Sequence, residues 1–168
     1  MLGAPAKDDP LVAAIRDRLL TAESVAMAKF NSGAPVEDKP RERQVIFAAV
    51  HLAVISGVDG DAALAVFKAQ IEASKAAQRA FLKKWAGYPK FAHAPDLARD
   101  VRPKLDRLTP IIIAGLRKDR YRTNAALKNG PGDPIYRESW KIAVEPLIKP
   151  NFMSGPPKSP PGALSSHS

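Results

Sequence analysis

Apolar residues along most of this chain recur at steps of three and four, the period of helices that bury one face, and no stretch alternates apolar with polar as a half-buried strand would. Breakers and capping residues divide the pattern. Asp9 before Pro10 reads as an N-cap with proline at the first helical position, opening a helix over 10 to about 30. Gly33 and Pro35 mark a turn, and Asp38 then caps a second helix to about 56, where Gly57 stops it. Asp59 or Asp61 caps a long third helix to about 85. After the loop GYPKFAHAP, Asp96 caps a fourth that ends near 116, with Pro103 either opening its regular part or kinking it. Residues 117 to 132 read as a connection. Asp133 and Pro134 cap a fifth helix through YRESWKIAVEPLI, which Pro146 limits or bends. The expectation is an all-α fold, a bundle of four main helices plus a C-terminal helix, over residues 1–149. The Pro- and Ser-rich stretch 150–168 reads as a disordered or draped tail.

Several polar side chains fall on the stripes that should face inward. Helix one repeats Ile15, Arg18, Ala22, Val25 and Lys29; helix three repeats Phe67, Ile71, Ser74, Gln78, Phe81 and Trp85, with Gln70 one turn before Ser74; helix four repeats Arg102, Leu105, Thr109, Ile112 and Leu116. Arg18 and Lys29 are eleven residues apart, so they lie within roughly 20° of one face and about 16 Å apart along the axis. They either line one cavity or flank the seam and snorkel outward, the ordinary behaviour of one long basic side chain. Arg41, beside Asp38 and Glu42 at the start of helix two, reads by charge pattern alone as a solvated helix end. A buried amide or hydroxyl costs roughly 1–3 kcal/mol if unpaired, so Ser74 and Gln78 need partners, a ligand or exposure. Together, the arginines, the lysine, the glutamine and the serine describe a pocket for a compact ligand with two carboxylates and an ether or carbonyl oxygen.

Composition narrows the chemistry. The 168 residues suit one domain, and the absence of cysteine excludes disulfides and thiolate metal sites. The formal charge of +9 divides into +4 over residues 1–116 (17 basic, 13 acidic) and +5 over 117–168 (9 basic, 4 acidic), a balance that suits a nucleic acid or a small polycarboxylate. His51, His93 and His167 lack metal-ligand spacing, and there is no phosphate-cradling glycine loop, so no metal or cofactor is expected. No apolar run is long enough to cross a membrane. The start, MLGAPAKDDP, lacks the apolar stretch of a secretory signal, which leaves either a cytosolic protein or one whose signal has been removed.

The order and spacing of RDRLLTAESVAMAKF, PVEDKPRERQV, FKAQIEASKAAQ and DLARDVRPKLDRL, over residues 10 to about 116, resemble the all-helical chorismate mutases, specifically the secreted or periplasmic class whose active site lies within one chain. The resemblance implies the rearrangement of chorismate to prephenate without metal or organic cofactor. It implies that Arg18, Arg41 and Arg102 bind the substrate carboxylates with help from Ser74, that Lys29 and Gln78 flank the breaking ether bond, and that Asp38 and Glu42 meet the ring hydroxyl region. It also implies a periplasmic or secreted location and a homodimer, with no nucleic-acid or membrane partner. One departure is plain: some secreted relatives hold their C-terminal helices with a disulfide, which this chain cannot form. Two other readings compete, an isochorismate pyruvate lyase on the same fold and a basic helical nucleic-acid-binding module. The second leaves the inward arginine and glutamine side chains unexplained.

Overall fold

A computed structural model describes residues 8–150, all helix and connection with no strand among them. Of the expected tail over 150–168, residues 151–168 lie outside the described residues. The first helix, α1 (Pro10–Ser32), runs two residues past the expected end: Asp9 accepts from the N–H groups of Leu11 and Val12, and Gly33 at φ 72° closes the helix in the left-handed conformation that glycine adopts without strain. Helix α2 (Lys39–Ile55) starts at Asp38, whose carboxylate accepts from Arg41 N–H, and α3 (Gly60–Lys84) starts at Asp59.

Helix α3 is the centre of the bundle. It packs against α1, α2 and α6 (Arg137–Val144), while α4 (Arg102–Gly115) closes over α1 and α2. Alanines at the crossings are fully buried, among them Ala22 and Ala26 of α1, Ala49 and Ala53 of α2, and Ala63 and Ala73 of α3. Their small side chains let the helix axes approach closely around Leu11, Ile15, Leu19, Val66, Phe67 and Ile112. Gly115 is required at the end of α4, because a Cβ there would lie 2.7 Å from Leu11 Cβ.

The fourth helix departs from the expectation in its first turn. Asp96 does cap it, but residues Leu97–Val101 form a wide π-turn in which Arg102 N–H reaches the Leu97 carbonyl, and regular α4 begins only at Arg102. Pro103 thus opens the regular part and does not kink it. The proline has no N–H to offer the carbonyl four residues back, which removes an α-type bond at this point.

Two further corrections concern the C-terminal third. The stretch 117–132 contains a one-turn helix, α5 (Asn124–Leu127), capped by Thr123, and the fifth helix is broken into a tight turn at Pro134–Tyr136, α6, and a second tight turn at Glu145–Leu147 where Pro146 interrupts the α register. Arg122 fastens this arm without any disulfide. Its Nε donates to Asp9 Oδ2 at 2.7 Å, its Nη2 to the Gly115 carbonyl at 2.8 Å, and its backbone N–H to the Leu147 carbonyl at 2.8 Å. Trp140 Nε1 adds a bond to the Leu127 carbonyl at 2.8 Å. The loop after α3 is held as well: Asn31 exchanges two bonds with the Phe91 backbone, at 2.8 and 2.9 Å, and the Phe91 ring packs edge-on against Phe30 and Trp85. No helix among the described residues is long and apolar enough to cross a membrane.

Candidate active site

The inward polar positions of α1, α2, α3 and the π-turn–α4 junction meet around one hollow. Arg18, Lys29, Asp38, Arg41, Glu42, Ser74, Gln78 and Arg102 all line it, with Val25, Val45, Ile71 and Leu105 as apolar walls. The hollow encloses about 160 Å³, room for on the order of ten water-sized positions, which suits a small organic molecule and not a polymer strand. Sequence reasoning did not single out Thr21, Val36, Val45, Lys75, Leu97 or Val101 in the lining, and mentioned Gln70 only as a neighbour of Ser74. Lys75 carried no signal, because it stands next to Ser74 and so away from the centre of the apolar stripe of α3; in the structure it meets Glu42 of α2 and lines the hollow.

Arg18 does not snorkel. It is 9 % exposed, its guanidinium lies over the Phe67 ring at 5.3 Å, and Nη1 is buried with no hydrogen-bond partner. Burial, and then the nearby Arg41 guanidinium, push its pKa down to about 10, with Asp106 acting the other way; the group stays cationic at neutral pH. Lys29 is half-buried and donates to the Val36 carbonyl at 2.6 Å. Partial desolvation lowers its pKa, while Asp38, Glu37 and Glu42 pull it back up. An ammonium has three N–H groups, so two remain for a ligand.

Arg41 is also not a freely solvated end: it is half-buried, lines the hollow, and makes one long bond to Gln44 Oε1 at 3.4 Å. Arg102 sits at the rim, exposed although it lines the same space, so its place on an inward stripe holds only for its backbone position. Asp38 and Glu42 have structural work. Asp38 Oδ1 accepts from Arg41 N–H at 3.1 Å, Glu42 Oε1 accepts from Asp38 N–H at 3.2 Å, and Glu42 Oε2 faces Lys75 Nζ at 3.5 Å. That reciprocal cap rigidifies the α2 start that borders the hollow.

On α3, Gln78 Nε2 donates to Ser74 Oγ at 3.0 Å. This uses one of two amide N–H groups and leaves the serine hydroxyl proton free to donate elsewhere. Gln70 Nε2 donates to the Ala143 carbonyl at 3.1 Å, tying the floor of the hollow to α6. Among the described residues, the buried side-chain polar atoms that lack a partner are Arg18 Nη1, Gln70 Oε1 and Gln78 Oε1, all on residues of this lining. Unpaired buried groups of this kind are costly, and their concentration at one place marks a surface built to meet a polar ligand. The five cations of the lining, Arg18, Lys29, Arg41, Lys75 and Arg102, outnumber its two carboxylates, so that ligand is an anion.

The chain as a whole is similar to proteins of one family. Residues 6–79 match the family described as chorismate mutase type II. A secreted chorismate mutase of Mycolicibacterium smegmatis is 33 % identical over 150 residues, covering 80 % of this chain and 82 % of that protein. The crystal structure of a chorismate mutase from Burkholderia phymatum superposes with a TM-score of 0.75 at 31 % identity, covering 84 % of this chain and 96 % of that one. A second, from Burkholderia thailandensis, gives 0.75 at 32 % identity, covering 83 % and 98 %.

Proposed function

This chain belongs to the chorismate mutase family, and on that premise we propose that the hollow between α1, α2, α3 and α4 is where it rearranges chorismate to prephenate, with residues 1–149 as the catalytic domain. The observation that carries the assignment is the convergence of eight residues from four separate parts of the chain on one cationic lining that also owns the unpaired buried polar atoms.

The reaction is a unimolecular pericyclic step, with no proton to transfer and no nucleophile to activate. A protein accelerates it by holding the compact conformer in which the reacting carbons approach and by stabilising the negative charge that grows on the ether oxygen. Arg18, Arg41 and Arg102 clamp the two carboxylates, and the Ser74 hydroxyl, itself accepting from Gln78, donates to one of them. Lys29 and the second N–H of Gln78 flank the ether oxygen. Both donors strengthen their bonds as charge develops, so they favour the transition state over bound substrate. Asp38 and Glu42 border the ring hydroxyl region while capping α2.

The direct test is loss of the chorismate absorbance on adding the purified protein, with prephenate identified as product. Parallel incubation with isochorismate separates this reading from a pyruvate lyase: salicylate there, with no prephenate from chorismate, would overturn it. The amide at Gln78 makes a second prediction. A carboxyl group can donate to the ether oxygen only when protonated, so Gln78→Glu gains activity as pH falls through the pKa of the new carboxyl. The wild-type protein shows no such rise. Identical pH profiles for the two would remove Gln78 from the ether contact.

The M. smegmatis relative is named as secreted, and from that resemblance we infer a secreted location for this chain. We also infer a homodimer. The outward face of α2, with Phe47 74 %, Val54 61 % and Ile55 67 % exposed and His51 stacked on Phe47, supplies an apolar surface for a second copy. A sedimentation mass of one chain would remove that inference.

A further inference from the structure

Lys75 is an anomaly of this pocket. A lysine is among the residues least often buried, yet this one is 6 % exposed, lines the hollow, and has no part in the clamp or the ether contact. It meets two carboxylates. Glu72 Oε1 lies 2.8 Å away, but that carboxylate is on the same helix and 59 % exposed, a pairing that water and salt largely screen. Glu42 Oε2 lies 3.5 Å away across the α2–α3 interface and is only 17 % exposed. A carboxylate withdrawn from water needs its counter-charge far more than an exposed one does.

Glu42 passes that constraint on. Its other oxygen accepts from Asp38 N–H, and Asp38 in turn accepts from Arg41 N–H. A continuous path therefore runs from the ammonium on α3 to the backbone amide of Arg41, whose side chain lines the hollow. Neighbouring contacts pull the same way: Arg79, one turn along α3, pairs with Glu37, and Lys29 holds the Val36 carbonyl from α1. The segment before α2 is thus held from two helices.

We propose, resting on the assignment of this hollow to chorismate, that Lys75 is a positioning residue: it anchors Glu42 and so fixes the first turn of α2, keeping Asp38 and Arg41 aimed at the bound ligand. The position of Arg41 affects substrate and transition state alike, so losing the anchor weakens binding more than turnover.

Lys75→Met keeps most of the apolar stem and removes the charge. Its KM for chorismate rises about tenfold while kcat falls less than about threefold. In the ligand-free protein, the Asp38 amide, which bonds to Glu42, exchanges with solvent about ten times faster than in the wild type. Lys75→Arg, whose guanidinium still reaches Glu42, restores both readouts to within about twofold. Glu72→Gln leaves both within about twofold of wild type, because Glu72 is exposed and its ion pair stays within α3. Lys75→Gln, a second neutral variant, is read by the same measurements should the methionine form fail to fold. Wild-type KM and wild-type Asp38 exchange in a neutral variant would overturn the proposal, and so would a Glu72→Gln variant that reproduces the defect. Exchange is measured without turnover, so an inactive wild-type protein would sink the assigned reaction while leaving the anchor to be judged separately.

Discussion

An Arg18→Met variant loses about three orders of magnitude in kcat/KM, the scale of two charge-assisted bonds to a carboxylate in a desolvated site, and melts no lower than the wild-type protein. The two halves of that result have one cause. Burial pushes the Arg18 pKa down to about 10, which means the folded protein holds this cation less comfortably than the unfolded chain does. At every pH below that value the charged form opposes folding, and only above it does the opposition fade. The lowering corresponds to on the order of 3 kcal/mol, partly offset by the Phe67 ring beneath the guanidinium. Methionine keeps the aliphatic stem and removes the charge and the unpaired N–H, so thermal unfolding should move up by a few degrees. A strongly destabilised variant would show instead that Arg18 is a structural part of the core; a variant with normal kcat/KM would remove it from the clamp.

Lys29→Ala gives the second large effect, a fall in kcat of about 10² or more, the loss typical of one preorganised donor at a developing oxyanion. KM should change much less, because the ether oxygen carries little charge until the bond begins to break. The geometry also sets what else is lost. Lys29 holds the Val36 carbonyl at 2.6 Å, so the alanine variant frees the segment before α2, and part of its defect is misplacement of Arg41. Steady-state kinetics on chorismate separate the two contributions: the missing ether donor lowers kcat, and the loosened segment raises KM. A rate near that of the wild type would contradict the ether contact.

Much of this architecture is visible in the order of residues alone. Asp9, Asp38 and Asp59 each sit at the start of a helix as capping chemistry demands, and Gly33 and Gly57 end two helices with positive φ. The polar residues on the apolar stripes could be identified because helical periodicity assigns a face. What periodicity cannot assign is what lies opposite that face. The burial of Lys75 depends on Glu42, 33 residues away, and the double duty of Asp38 and Glu42 depends on how the α2 start docks against α3. The same limit explains Arg41, whose charge pattern alone describes a solvated end. The π-turn before α4 has a local cause in Pro103, but the cause is equally compatible with a kink. The C-terminal third was hardest to read, because Arg122 collects partners from residues 9, 115 and 147, contacts that no short window contains.

That arginine hub has a consequence for how the protein responds to its surroundings. A fold closed by a disulfide needs an oxidising medium to form and keep that bond. Here the chain has no thiol to oxidise, and ionic and carbonyl contacts hold the arm. Dithiothreitol or glutathione leaves the catalyst intact, and the molecule matures equally well in a reducing or an oxidising medium.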